Sequence, residues 1–135
     1  MNKSDAIKFQ ALFDKGDLIT LANGLEPLLK EGDLDARYLA CSFSIESNET
    51  GEAFDLRRIQ ELKALASMWH RASLVDLAWA YRHGDDVERD EQKFQNLMTA
   101  AALLGDQDAI RILAEYLEFE LGETGLCSIV DQRNA

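Results

Sequence analysis

The side chains that could carry acid–base, nucleophilic or metal chemistry are few in this chain. Its two histidines are His70 and His83, and its two cysteines are Cys41 and Cys127. Neither histidine belongs to an HExxH motif, and no cysteines or histidines have the short spacing of zinc ligands. No glycine-rich phosphate loop follows a predicted strand. These residues therefore indicate neither a catalytic centre nor a metal site.

Carboxylates are the abundant ionisable group, with 25 Asp and Glu against 14 Lys and Arg. Pairs such as Asp85–Asp86 and Glu118/Glu120 have the composition of an acid–base dyad. In a chain with a net charge of −11, such pairs are more typical of solvated helix faces. We therefore predict that the protein is not an enzyme and that it binds no cofactor and no metal.

The net negative charge narrows the class of partner. An acidic surface repels the phosphates of nucleic acids and anionic membranes, and it attracts basic proteins. The alternative is that the acidity serves only solubility. The N-terminal sequence MNKSDAIKFQALF lacks the apolar core of a signal peptide, and no run approaches the ~20 apolar residues of a membrane span. We expect a cytoplasmic monomer with free thiols that contacts neither nucleic acid nor membrane directly.

The stretch from Ala72 to Gly105 has the pattern of two helices joined by a polar loop. Its first helix has apolar residues at helical spacing, namely Leu74, Leu77, Ala78 and Tyr81. Gly84 is placed to end this helix and Asp90 to cap the next. The second helix has a stripe of Phe94, Leu97, Met98, Ala101 and Ala102. Similar but weaker units begin at Ala36 and at Ala109, which gives a period of 36 to 37 residues. A period of this length is typical of stacked helical repeats.

This unit resembles the Sel1-like repeat, a relative of the tetratricopeptide repeat. The residues that carry the resemblance are Leu77, Ala78, Tyr81, Gly84, Val87, Asp90, Lys93, Ala101, Ala102 and Gly105. The resemblance implies a superhelix that binds or scaffolds other proteins, and it implies no catalytic residues.

The units on either side depart from this pattern. The following unit opens as expected with Ala109, Leu113 and Ala114. There Leu117 takes the tyrosine position and Glu120 the glycine position. In the preceding unit, Ile45 replaces the tyrosine and Trp69 replaces the closing glycine. The resemblance is therefore strong in the middle unit and weak beside it.

We predict an all-α fold of about seven helices, and the resemblance implies antiparallel pairs stacked as a right-handed superhelix of the Sel1/TPR type. Outside the clear repeat, helices are predicted over residues 4–15, 17–31, 35–46, 54–70 and 107–121. Pro27 predicts a kink or break near residues 23–26. In the helix 54–70, the residues predicted to face inward are Leu56, Ile59, Leu62, Leu65, Ala66 and Trp69.

The chain is predicted to form a single domain over residues 1–135. Residues 1–34 would be an N-terminal capping helix pair and residues 35–70 a degenerate repeat. Residues 71–106 are the clear repeat, and residues 107–135 form a half repeat and a tail. The tail is expected to cover the last apolar face, because terminal repeats need protection from water.

In this family, the first helix of each pair lines the concave face. The resemblance therefore implies a partner-binding groove on the side of these helices that the motif leaves free, and Trp79 is its central anchor. The alternative is that Trp79 packs against the next helix. Candidate groove residues are Phe43, Glu46, Val75, Asp76, Trp79, Arg82, His83, Asp108, Arg111, Glu115, Glu118 and Phe119.

These features favour a non-catalytic protein-binding module. The first hypothesis is an acidic inhibitor that neutralises a basic effector, for example an immunity protein that covers the active site of a nuclease toxin. The alternative is a generic Sel1-like adaptor that holds a peptide or a helix in a larger assembly. About three and a half helix pairs make a short array, which favours a compact protein with one partner.

Overall fold

The structure of the protein, a computed structural model, describes residues 1–121, with side chains through residue 118. The described residues form seven α-helices and no strand, which confirms the predicted all-α class. The helices are α1 (Lys3–Lys15), α2 (Leu18–Lys30), α3 (Leu34–Ala40), α4 (Gly51–Ser67), α5 (Arg71–His83), α6 (Glu91–Leu103) and α7 (Gln107–Leu121). The tail predicted to cover the last apolar face lies outside the described residues.

The chain divides into two compact units, Met1–Leu65 and Ala66–Ala135. In the first unit, α2 packs against both α1 and α3. The buried core there consists of Phe9, Leu21, Leu25, Ala36 and Phe43. In the second unit, α6 packs against both α5 and α7. Its buried side chains include Leu74, Leu77, Ala78, Phe94, Met98, Ala101, Ala109 and Ala114.

One turn geometry recurs three times along the backbone. The residues with left-handed backbone that follow α2, α4 and α6 are Gly32 (φ 77°), Trp69 (φ 60°) and Gly105 (φ 87°). The next residue in each case caps the following helix, and these caps are Asp33, His70 and Asp106. The three turns are 37 and 36 residues apart, so a backbone repeat of this length exists within residues 32–106.

The helix caps correct the register of the repeat. The Asp33 and Asp106 carboxylates accept hydrogen bonds from the Ala36 N–H at 2.8 Å and the Ala109 N–H at 2.9 Å. In α5 the corresponding bond runs from the Ser73 N–H to Nδ1 of His70, at 3.3 Å. The residues at this position are all fully buried, namely Ala36, Ser73 and Ala109. Ala72 is exposed, so Ser73 is the counterpart of the two alanines and the sequence register was wrong by one residue.

The predicted break in α2 is absent, since the helix runs without interruption through Pro27. Its apolar residues Leu21 and Leu25 are fully buried on one face. Burial of these side chains holds the helix together although proline cannot donate its backbone hydrogen bond.

The first helix of the degenerate repeat is shorter than predicted, because α3 ends at Ala40 rather than near residue 46. The Tyr38 carbonyl accepts hydrogen bonds from Sγ of Cys41 and Oγ of Ser42, each at 3.1 Å. Side chains that bond to nearby backbone groups compete with helix continuation. Phe43 then turns into the core beside Phe13, with ring centroids 6.5 Å apart. The segment from Cys41 to Thr50 is therefore a loop.

Helix α4 lies three residues earlier than predicted, ending at Ser67. The inward positions Ile59, Leu62, Leu65 and Ala66 are buried as expected, whereas Leu56 is 57% exposed and Trp69 is 55% exposed. The prediction for Trp69 fails because the helix has already ended and the residue occupies the left-handed turn.

We expect the substitution Trp69→Gly to raise the free energy of unfolding by about 1 kcal/mol. A left-handed backbone costs a residue with a Cβ atom about 1–2 kcal/mol, and the greater freedom of glycine in the unfolded chain offsets about half of this gain. Urea denaturation followed by circular dichroism measures the change. The matched control is Trp69→Ala, which removes the indole but keeps the Cβ and the strain. Equal free energies of unfolding for Trp69→Gly and Trp69→Ala would show that the left-handed backbone at position 69 is not strained.

Candidate functional site

The predicted groove residues belong to two separate regions. Phe43 and Glu46 lie on the loop between α3 and α4, in the first unit. The other ten lie on α5 and α7, in the second unit. Phe43 was included in the groove as the predicted counterpart of Trp79 one repeat earlier. The corrected register makes Ser42 that counterpart, because it lies 37 positions before Trp79.

On α5 the structure brings together Trp79, Arg82 and His83. The indole of Trp79 stacks on the His83 ring at 5.6 Å with an angle of 11° between the planes. The Arg82 guanidinium lies 5.9 Å from the Trp79 centroid. Beneath them, the ring of the fully buried Phe94 lies 5.4 Å from Trp79 and 4.8 Å from the Arg82 guanidinium. Trp79 is half-buried, so one part of the indole packs against α6 and the rest stays accessible.

Val75 and Asp76 are also half-buried on α5. On α7, Asp108, Arg111 and Glu115 are exposed, and Glu118 is half-buried. Their spacing of three and four residues places these four side chains on one side of the helix. The side chain of Phe119 lies outside the described residues.

The loop between α5 and α6 adds exposed carboxylates that sequence analysis had treated as ordinary solvated groups. Asp85, Asp86 and Glu88 are all exposed. Together with Asp108 and Glu115, they have no cationic side chain within ion-pair distance in the described part of the chain. We call these five residues the acidic set.

A cleft of about 390 Å³ lies in the first unit, where α3 stops early. Its apolar lining comes from α2, the end of α3 and the following loop, through Ala22, Leu25, Leu29, Ala40, Phe43 and Ile45. Ile45 is 56% exposed and Leu29 is 36% exposed, so apolar surface reaches the mouth. The polar lining residues are Ser44, Glu46, Glu49 and Arg57.

The guanidinium of Arg57 lies at one end of this cleft and bonds through two of its three nitrogens, Nε and Nη2. It donates to both carboxylate oxygens of Glu49 at 3.0 Å and to the Phe43 carbonyl at 3.0 Å. The hydrogen bond with Glu49 raises the pKa of Arg57, against an opposing effect of burial. Hydrogen bonds from Arg57 and Ser44 lower the pKa of Glu49. Glu46 is exposed, and no cation lies within ion-pair distance of its carboxylate among residues 1–118.

The ion pair between Glu49 and Arg57 predicts a pH-dependent contribution to stability. Because the folded-state pKa of Glu49 is lowered, its contribution is present above the ordinary glutamate pKa and is lost as the pH falls through the lowered value. We expect Glu49→Gln to be less stable than the parent at neutral pH, and the difference to shrink below about pH 4. Urea denaturation at a series of pH values measures it. A difference in stability between parent and variant that does not change as the pH falls would contradict the ion pair. The control is Glu52→Gln, at an exposed residue of α4.

Two of the cleft residues, Phe43 and Glu46, are among those predicted from the sequence, but the prediction assigns them to the groove on the repeat helices and does not include the cleft. In the sequence pattern, Ile45 has only the position of the repeat tyrosine, and Arg57 has no predicted role. The signal that was available is the sequence SFSIE, in which apolar residues alternate with polar ones from Ser42 to Glu46. Such alternation is typical of extended backbone rather than of helix.

No cluster of three or more His, Cys, Asp or Glu suited to a metal ion occurs among the residues that the structure describes. None of the seven described helices combines the length and apolar character that crossing a membrane requires. No protein-family model, no curated protein and no solved structure matches this chain.

Proposed function

We propose that this chain is a non-catalytic protein-binding module that inhibits a basic protein. The concrete form is an immunity protein that neutralises a nuclease toxin by covering its phosphate-binding face. The observation that carries the proposal is the acidic set, whose carboxylates are exposed and lack cationic partners within the described residues.

Carboxylates of like charge on one protein repel each other, and a cationic partner relieves that repulsion. A nuclease holds its substrate with Lys and Arg side chains, so the surface that binds phosphate also fits an acidic protein. Complementary charge speeds encounter and selects the partner. The half-buried Trp79 of the same unit supplies apolar contact in addition to this charge, since aromatic side chains contribute strongly to interfaces.

The proposed architecture is a right-handed superhelical stack of helix pairs of the Sel1-like type. Support comes from the left-handed turn and helix cap that recur at 37 and 36 residues. We further propose that the protein is a cytoplasmic monomer when free, and that it binds neither nucleic acid nor membrane directly.

A generic adaptor is the second candidate function. The apolar cleft in residues 22–57 favours it, because a cleft of this kind can hold a peptide or a helix from a larger assembly.

Affinity capture from the source cells, with the tagged protein at low and at moderate salt, tests the proposal. An inhibitor recovers one basic protein in equal amount, binds it less tightly as salt rises, and abolishes its nuclease activity. Recovery of several components of a large complex would instead support the adaptor. Failure to recover any basic protein would refute both the inhibitor and its charge-based partner selection.

Charge reversal at matched positions then locates the interface. Asp85→Lys with Glu88→Lys changes the acidic set, whereas Glu31→Lys with Asp55→Lys makes the same net change at exposed positions of the first unit. We expect the two substitutions in the acidic set to lower the affinity for the captured partner about tenfold or more. The two substitutions in the first unit should lower this affinity by much less. Equal losses would show that the partner responds only to net charge.

A further inference from the structure

We propose that the cleft in the first unit binds a segment of a partner protein in which a large apolar side chain stands next to a lysine or arginine. This inference rests on the proposed function for the class of partner, a basic protein. It adds a point of attachment on the first unit, whereas the acidic set belongs to the second unit, and it specifies the chemistry of the segment that binds there.

The apolar half of the segment follows from the lining of the cleft. Leu25 and Phe43 are buried beneath the cleft, while Leu29 and Ile45 leave apolar surface open to water at its mouth. Covering this surface is favourable at about 25 cal/mol per Å². A volume of about 390 Å³ lies at the small end of the range for ligand sites, which suits one large side chain better than a cofactor.

The basic half of the segment follows from the charges at the mouth. The cleft has one cation, Arg57, and its guanidinium already bonds both oxygens of Glu49 and the Phe43 carbonyl. An incoming carboxylate would therefore meet two carboxylates, Glu46 and Glu49, and one guanidinium whose charge Glu49 already balances. Glu46 is exposed and has no cation within ion-pair distance in the described chain, so an ammonium or guanidinium is the group that it can pair with.

A second copy of this chain is a poorer occupant, because each copy carries a net charge of −11. Two acidic copies repel one another, and the repulsion weakens only as salt screens it.

The test uses short synthetic peptides and the full, isotope-labelled protein observed by nuclear magnetic resonance. The probe has a central Leu–Lys pair flanked by glycine and serine. The comparison peptides replace this pair by Leu–Glu, Ala–Lys or Leu–Ser. We expect the Leu–Lys peptide to shift the backbone amide signals of Ala22, Ile45 and Glu46 in a saturable way. Peptides lacking the apolar side chain or the cation bind about fivefold more weakly or worse.

Two variants distinguish binding in the cleft from a general attraction between the acidic protein and a cationic peptide. Glu46→Gln removes the carboxylate that has no cation within ion-pair distance, and it is expected to make Leu–Lys and Leu–Ser bind equally. Glu52→Gln makes the same charge change at an exposed residue outside the cleft lining and should preserve the preference. Thermal unfolding followed by circular dichroism verifies that both variants fold.

Several results would overturn the inference. They are stronger binding of Leu–Glu than Leu–Lys, signal shifts confined to residues outside the cleft, or a preference that survives Glu46→Gln. Sedimentation that shows a dimer blocked by Ile45→Ser would assign the cleft to a second copy. If the captured partner loses affinity with the acidic-set variants but not with Glu46→Gln or Ile45→Ser, the cleft proposal fails while the proposed function stands.

Discussion

Replacing Phe94 by alanine lowers the free energy of unfolding by about 3–5 kcal/mol, the usual cost of truncating a buried aromatic ring. Phe94 is fully buried on α6, the helix that contacts both α5 and α7. Its ring also lies beneath the Trp79 indole and the Arg82 guanidinium, at 5.4 and 4.8 Å. Truncation therefore opens a cavity and removes the support of the α5 cluster.

Urea denaturation followed by far-ultraviolet circular dichroism measures this loss. Leu103→Ala on the same helix is the control, because Leu103 is 75% exposed and surface truncations stay within about 0.5 kcal/mol. If Phe94→Ala does not fold, Phe94→Leu gives a smaller loss of about 1 kcal/mol and keeps the measurement possible. A loss below about 1 kcal/mol for Phe94→Ala would show that α6 does not form the centre of the second unit.

The second unit was predictable because its local signals agree with one another. Gly84 does end α5 in a left-handed conformation, and Asp90 does cap α6 through the Lys93 N–H. The predicted stripe of α6 contains the buried residues Phe94, Met98 and Ala101. Helix α7 begins at Gln107, as predicted. Caps, helix stops and apolar periodicity all indicate the same helices here.

The first unit was less predictable because tertiary contacts decide its local structure. Helical periodicity predicts that α3 continues to residue 46. Phe43 instead packs into the core with Phe9 and Phe13, and the free energy of burying its ring outweighs that of extending the helix. The loop that results provides the wall of the cleft and brings Glu49 to Arg57. No spacing rule links those two residues, so the site depends on a fold that the sequence pattern only partly reveals.

The one-residue error in the register of the repeats also arises because the sequence pattern does not show which small residue is buried. The alanine pattern predicts that Ala72 opens the middle unit, but the caps show that the small buried residue at this position is Ser73. The hydroxyl Oγ of Ser73 lies 2.7 Å from Nδ1 of His70, so a polar side chain is accommodated at a buried position. Backbone hydrogen bonds therefore align these repeats better than residue identity.

Replacing Gly24 by alanine is expected to destabilise the protein by up to about 2 kcal/mol, although alanine is the better helix former. In the interior of α2, alanine gains about 1 kcal/mol of helix propensity over glycine. However, a Cβ at this position would lie only 2.7 Å from Cε1 of Phe9. Phe9 is 4% exposed and packed within the core of the first unit, so its ring cannot swing into solvent. Overpacking of this kind costs about 1–3 kcal/mol, which outweighs the gain in propensity.

Two comparisons isolate the contact between Gly24 and Phe9 in urea denaturation. Gly51→Ala at the start of α4 is the control, because nothing lies within 4 Å of a Cβ there, and its stability should not fall. Phe9→Leu removes the ring, so Gly24→Ala should cost less in that background than in the parent, as a coupling energy between contacting residues. A Gly24→Ala variant more stable than the parent would show that helix propensity, rather than close packing of α1 on α2, determines the residue at position 24.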